Sequence, residues 1–143
     1  MSTKILIIED HDDFRAMVKS YLEKQDFKME VFEAPTGELG VVKALREKPD
    51  IILMDIRLPN MNGIDAASRI KKYLPSCKIV ILTMFETEAF RNVFKSQDIE
   101  AYIGKSELYE KLVPLLQNIF LGILEIPLPL SDFQECLLCL IVP

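Results

Sequence analysis

Asp50-Ile51-Ile52-Leu53-Met54-Asp55 is the stretch that decides the fold, because it encloses four apolar residues between two carboxylates. A short apolar run that ends abruptly in charge is typical of a strand buried on both faces of a parallel sheet. Ile8-Glu9-Asp10 and Ile103-Gly104-Lys105 end in charge in the same way. Open α/β sheets place their sites at the carboxyl ends of their strands, so we expect these charged groups to meet at one edge.

Strand-like and helix-like patterns alternate along the rest of the chain. Short apolar or alternating runs predict five strands, at residues 4–8, 28–32, 51–54, 78–82 and 100–103. Apolar residues at helical spacing lie between these strands and after the last of them. The alternation predicts βαβ units with right-handed crossovers. We therefore expect a doubly wound α/β fold with a five-stranded parallel sheet in the flavodoxin-like order 2-1-3-4-5.

The inward face of each predicted helix follows from the apolar residues that recur at helical spacing. In the second predicted helix, Val42 and Leu45 are expected to face the core. Phe90, Val93 and Phe94 mark a fourth helix between the last two strands.

Size and charge limit the possible functions. The 143 residues amount to about one domain, and the net charge of −5 argues against DNA binding by this chain alone. We see no signal peptide and no apolar run long enough to span a membrane, so no membrane partner is expected. Three cysteines are an odd number for a disulfide framework, which favours a reducing, cytoplasmic location. Cys136 and Cys139 lack a second ligand pair, so no zinc site is expected.

The carboxylates at the strand ends predict a cation site. Crowded carboxylates repel one another unless a hard cation lies among them, and oxygen ligands of this kind suit Mg²⁺. Glu9 and Asp10 are the expected ligands. Asp55, at the end of a buried strand, then becomes a usable nucleophile. With Lys105 nearby to offset negative charge, the pattern predicts a metal-assisted phosphate site in which Asp55 is the acceptor.

Four segments together resemble the receiver domain of two-component response regulators. They are residues 5–11 (ILIIEDH), 50–63 (DIILMDIRLPNMNG), 81–83 (ILT) and 101–105 (AYIGK). Each segment is unspecific alone, but the four occur in order and at the spacing of that family. The resemblance covers roughly residues 4–120 and implies a phosphoacceptor switch, which only promotes its own phosphoryl transfer and slow dephosphorylation and is not an enzyme.

The resemblance also assigns roles to the acidic residues. Asp55 would take a phosphoryl group from a sensor histidine kinase. The ligands of Mg²⁺ would be the carboxylates of Glu9, Asp10 and Asp55 together with the backbone carbonyl of Arg57.

Further roles fall on the ends of the last two strands and on the loop after Asp55. The resemblance implies that Lys105 and the hydroxyl of Thr83 contact phosphoryl oxygens, and that Thr83 and Tyr102 move together as the switch. Met84 replaces the small residue usual in the family, and we expect it to restrict access to the acyl phosphate. Gly63 is expected to take a backbone angle that a side chain would resist.

The C-terminal end predicts a second segment. We expect the receiver domain to cover residues 1–122, and residues 123–143 to form a linker and a short apolar tail helix. Residues 130–141 resemble the opening helix of a helix-turn-helix output domain, but no recognition helix follows, so DNA would be bound only through an output domain absent from this chain. The chain is then either a fragment of a transcription factor or a single-domain receiver. The apolar tail is expected to pack either on its own receiver or on a second copy, and we favour the second, which would give a homodimer.

Three other functions are weighed against the phosphoacceptor switch. A pseudo-receiver would bind partners without phosphorylation, but Asp10, Asp55, Thr83 and Lys105 are all present. A haloacid-dehalogenase-type phosphatase would need a second acid where Arg57 stands. A flavodoxin-like flavin carrier would need a phosphate-binding first loop, which the acidic run from residue 9 to residue 13 would oppose.

Overall fold

The computed structural model describes residues 2–84 and 99–123. The chain divides into two compact units, residues 1–105 and 106–143. The predicted fourth helix around Phe90, the apolar tail helix and the Cys136/Cys139 pair all lie outside the described residues. Their predictions therefore stay untested.

The first unit is built on a five-stranded, all-parallel sheet in the order β2-β1-β3-β4-β5. This order confirms the predicted doubly wound topology. The apolar residues of the first and third strands in the chain, at positions 5–8 and 51–54, are completely buried, as the sequence pattern indicated. The strands are β1 (Thr3–Ile8), β2 (Met29–Ala34), β3 (Ile51–Asp55), β4 (Lys78–Thr83) and β5 (Ala101–Gly104).

The register of the sheet brings the charged residues to one edge. Ile8 pairs with Met54, and Thr83 pairs with Gly104, so the residues that follow each strand leave the sheet at nearly the same level. The strand order reverses between β1 and β3, because the chain first steps to β2 and then returns past β1. Such a reversal opens a crevice at the carboxyl ends of the strands.

Among the described residues of the first unit, three helices begin close after strands at this edge. They are α1 (Asp12–Glu23), α2 (Gly37–Glu47) and α3 (Gly63–Tyr73). Each begins after a residue whose side chain accepts a hydrogen bond from a backbone N–H three positions later, which satisfies one of the unpaired donors of the first turn. The three capping residues are His11, Thr36 and Asn62.

The second unit contains the helix Leu108–Ile123, which a short 3₁₀ turn at Lys105–Glu107 precedes. Leu108, Leu112 and Leu116 of this helix are buried. Across the two described stretches, no helix has the length and apolar character that crossing a membrane requires.

The predicted inward face of α2 is wrong. Val42 is 52% exposed and Leu45 is 39% exposed. Gly40 and Ala44 are buried instead, because α2 lies too close to β1 for larger side chains. A Cβ atom added to Gly40 would lie 2.5 Å from Cδ1 of Ile8.

This close packing predicts the effect of a single methyl group. Gly40→Ala is expected to lower the free energy of unfolding by about 1–3 kcal/mol through overpacking. The better helix propensity of alanine, about 1 kcal/mol, offsets only part of this loss. Urea unfolding measures the change, and Leu39→Ala on the exposed face is the control, with an expected effect below about 0.5 kcal/mol. A Gly40→Ala protein as stable as wild type would contradict the packing of α2 on β1.

Candidate metal and phosphoryl site

Three carboxylates converge at the carboxyl edge of the sheet. Glu9, Asp10 and Asp55 each place one carboxylate oxygen within 4.8 Å of the other two. Glu9 and Asp55 are buried, whereas Asp10 is exposed to solvent. The expected meeting of these residues at one edge is therefore confirmed.

Lys105 supplies an ammonium group to two of the three carboxylates. Its Nζ lies 3.2 Å from Oδ2 of Asp55 and 3.0 Å from Oε2 of Glu9. The same Nζ lies 4.5 Å from the centre of the Phe14 ring, a distance suited to a cation–π interaction. Lys105 follows β5 directly, so the short turn after that strand delivers its side chain to the cluster.

Backbone N–H groups satisfy only some of the carboxylate oxygens. The N–H of His11 donates to Oε1 of Glu9 at 3.2 Å, and the N–H of Arg57 donates to Oδ1 of Asp55 at 3.3 Å. Oε2 of Glu9 is buried, and the contact with the Lys105 ammonium at 3.0 Å is its only polar contact within the described parts of the chain. A buried carboxylate oxygen with so few polar contacts still has lone pairs with which it could bind a cation.

The electrostatic balance at Glu9 favours an added positive charge. Burial raises the pKa of the Glu9 carboxyl above its usual value of 4.5, and the neighbouring charge of Asp55 raises it further. The hydrogen bond and charge of Lys105 and the N–H of His11 lower this pKa, but they do not cancel the rise. Three carboxylates facing one ammonium form a hard oxygen donor set, which fits Mg²⁺.

Thr83 lies on β4, the strand next to that of Asp55, and Tyr102 lies on β5, one strand further out. Thr83 is the buried last residue of β4. Tyr102 is half-buried on β5 and packs against the hydrophobic core. Met84 follows Thr83 with its side chain 71% exposed. The switching role of the first pair, the access role of Met84 and the Arg57 carbonyl as a ligand all stay predictions.

Gly63 is required for a reason other than the predicted one. Its φ is not positive, so an unusual backbone angle does not explain it. Instead the loop after Asp55 folds back so tightly that a Cβ on Gly63 would lie 2.5 Å from the Asp55 carbonyl oxygen. The N–H of Gly63 donates to the carbonyl of Ile56 at 2.7 Å and closes this loop. The left-handed residue of the loop is Asn60, with a φ of 67°.

Arg15 is a part of the site that the sequence did not reveal. Its Nη1 donates to the carbonyl oxygen of Glu9 at 2.6 Å, and its Nη2 donates to Asp12 at 2.7 Å. Its Nε lies 3.4 Å from the carboxylate of Glu33 on β2. The guanidinium thus links the segment after β1 to the first turn of α1 and to β2. Helical spacing gives no sign of this role, since a charged residue on α1 is also expected on a solvated face.

Comparison with known proteins identifies the family of this chain. The family model described as response regulator receiver domain matches residues 5–117. The chain belongs to this family. Receiver domains bind Mg²⁺ at an acidic pocket, and the receiver domain of this chain has a Glu/Asp/Asp group at the corresponding edge of its sheet.

Relatives of the receiver domain include longer proteins. The response regulator protein VraR of Staphylococcus epidermidis is 33% identical over 124 residues, which cover 85% of this chain and 58% of that protein. VraR of Staphylococcus aureus is 36% identical over 108 residues, which cover 74% of this chain and 51% of that protein. The chain therefore spans little more than half the length of these relatives.

A solved structure has the same architecture. The crystal structure of a two-component response regulator of the LuxR family, from Aurantimonas sp. SI85-9A1, superposes with a TM-score of 0.79 at 26% sequence identity. The match covers 85% of this chain and 87% of that one.

Response regulators are in general switches and not enzymes, and this receiver domain belongs to their family.

The raised pKa of Glu9 predicts a pH-dependent stability. A carboxyl whose pKa is higher in the folded state destabilises the fold when ionised. The penalty is absent well below pH 4.5, grows between pH 4.5 and the higher folded-state pKa, and is complete above that pKa. Without divalent cations, Glu9→Gln is expected to unfold at a higher temperature than wild type at pH 7 and at nearly the same temperature at pH 4. Calorimetry measures both midpoints. A Glu9→Gln protein that is less stable than wild type at pH 7 would show that the Lys105 pair outweighs the burial of Glu9.

Proposed function

We propose that Asp55 is the phosphoacceptor of this receiver domain and that a sensor histidine kinase is the donor. The observation that carries the proposal is the contact of the Lys105 ammonium with the Asp55 carboxylate, inside a cluster of three carboxylates. A carboxylate beside a fixed cation at an open sheet edge is poised to react with phosphorus, because the approaching phosphoryl oxygens meet positive charge.

The chemistry is a transfer of one phosphoryl group between two side chains. A carboxylate oxygen of Asp55 forms a bond to phosphorus while the phosphorus–nitrogen bond of the donor histidine breaks. The imidazole keeps the electron pair of that bond and takes up a proton. Lys105 offsets the charge on the phosphoryl oxygens, and the hydroxyl of Thr83 donates a hydrogen bond to one of them.

In the same proposal, a metal ion shares the site. Glu9, Asp10, Asp55 and the backbone carbonyl of Arg57 would hold Mg²⁺, which when bound supplies positive charge against the phosphoryl oxygens. The buried Oε2 of Glu9 and the excess of carboxylates over ammonium groups support this assignment.

The acceptor assignment predicts the outcome of a labelling experiment. In the presence of Mg²⁺ and acetyl phosphate, the protein is expected to gain one phosphoryl group, and Asp55→Asn is expected to gain none. Intact-mass spectrometry measures both, and Asp65→Asn on the exposed part of α3 is the control that should label normally. Undiminished labelling of Asp55→Asn would reject the acceptor. A wild-type protein that never labels would favour a pseudo-receiver, which binds partners without phosphorylation.

The ligand assignment predicts unequal effects among neighbouring acids. Asp10→Ala is expected to weaken Mg²⁺ binding at least about tenfold, because a lost charged ligand costs more than about 1.4 kcal/mol. Asp13→Ala is the matched control, since Asp13 lies in the first turn of α1 and outside the carboxylate cluster. Calorimetric titration measures both affinities. Equal losses in the two variants would place the metal elsewhere.

Met84 is proposed to limit access to the phosphorylated Asp55. If its side chain shields the acyl phosphate, Met84→Ala should shorten the phosphoryl lifetime, by about tenfold for roughly 1.4 kcal/mol of barrier. The measurement is the decay of the phosphorylated mass after the donor is removed, with Met17→Ala on α1 as the control. A Met84→Ala lifetime equal to or longer than that of wild type would reject the shielding role.

The output of the switch completes the proposal. On phosphorylation, Thr83 and Tyr102 would rearrange together and alter the surface around β5. We propose that residues 1–122 are the receiver and residues 123–143 a linker and apolar tail, which would favour a homodimer. The relatives are long enough to hold a further domain, and we propose that in the full-length protein this is a DNA-binding domain with transcriptional output. Beyond its own phosphorylation and slow dephosphorylation, we assign no reaction to the chain.

A cytoplasmic location is part of this proposal. It rests on the cysteine content and on Cys77, which is a free, buried thiol. Burial raises the pKa of this thiol to about 12, so it is unreactive as a nucleophile.

A further inference from the structure

The outward face of α2 carries three apolar side chains in solvent. Leu39 and Val42 are each 52% exposed, and Leu45 is 39% exposed. Their spacing of three residues places them in one stripe along the helix. The inward face holds Gly37, Gly40 and Ala44, so packing on the sheet leaves these larger residues outside.

A charged residue stands at each end of the apolar stripe. Glu38 lies four residues before Val42, and Arg46 lies four residues after it. Both side chains are exposed, and neither forms an ion pair with any residue that the structure describes. These signs suit the helix dipole, with an acid in the first turn and a base in the last. The dipole does not account for the three exposed apolar residues between them.

The outward face of α2 is complementary to the same face of a second copy. If a second α2 lies antiparallel with Val42 facing Val42, each Leu39 faces a Leu45 of the other copy. Each Glu38 then faces an Arg46. A two-fold symmetric contact requires a patch that matches itself in this way, because the same residues are contributed by both copies.

We infer that the outward face of α2 binds the same face of a second copy of this chain. The match of charges and apolar residues about Val42 favours a second copy over an unrelated partner. The contact is small, since an 11-residue helix is only about 16 Å long. Such an interface falls below the standard size, so the association is weak and depends on concentration. This inference is independent of phosphorylation and of the residues at the carboxyl edge of the sheet.

Charge reversal on the full chain tests the inference. Sedimentation equilibrium of wild type in low salt, from about 10 µM to about 1 mM, is expected to show a dimer at the upper concentrations. Glu38→Arg and Arg46→Glu, each alone, place like charges opposite each other and should weaken the dimer about tenfold. An equimolar mixture of the two single variants should associate better than either alone, because each copy then meets the opposite charge.

Several outcomes would overturn the inference. A wild-type protein that stays monomeric over the whole concentration range would do so. Association that is unchanged by either charge reversal and by Val42→Glu would assign the dimer to another surface, such as the C-terminal tail, which is identical in all variants. Circular dichroism establishes that each variant is folded. The comparison of the mixture with the two single charge variants does not use Val42→Glu, so it tests the inference even if that variant does not fold.

Discussion

The ion pairs of Lys105 with Asp55 and Glu9 are the interactions on which the functional edge of this protein depends. A parallel sheet delivers the ends of its strands to one edge, and here the ends of β1 and β3 together carry three carboxylates within 4.8 Å of one another. A single ammonium contacts two of them and leaves an excess of negative charge. Burial of Glu9 makes that excess costly, because charge is poorly solvated away from water. The cluster is therefore suited to a divalent cation and an incoming phosphoryl group.

Neighbouring elements keep this crowded edge in place. The guanidinium of Arg15 holds the Glu9 carbonyl, and the His11 side chain caps α1 directly after the acidic pair. On the other side of the cluster, Gly63 lets the loop after Asp55 fold against its own strand. These contacts hold the backbone from which the carboxylates project, which limits how far the carboxylates can move apart to relieve their repulsion. Rigid support of this kind is what a preorganised site requires.

Sequence reasoning succeeded where one physical effect dominates. The buried strands follow from apolar runs, and the meeting of Glu9, Asp55 and Lys105 follows from parallel strands that end in charge. It failed on α2, where the small size of Gly40 mattered more than the hydrophobicity of Val42. The helix packs so close to Ile8 that only its face of small residues fits against the sheet. It also missed Arg15. A periodic pattern indicates the face of the helix on which a residue lies, but not which backbone carbonyl a long side chain reaches. The proposed roles of Thr83, Tyr102 and Met84 concern the phosphorylated protein, and a pattern of hydrophobicity and charge carries no information on how side chains move when a phosphoryl group is added.

The central claim is that the excess charge at the strand ends is a cation site. Its most direct test is the unfolding temperature of the wild-type protein as the Mg²⁺ concentration rises at constant ionic strength. A cation that binds only the folded protein stabilises it by mass action, so the midpoint should rise steadily with the logarithm of the Mg²⁺ concentration. The same titration of Asp10→Ala/Asp55→Asn should be nearly flat. A wild-type midpoint that does not respond to Mg²⁺, or an equal response in the double variant, would contradict the account.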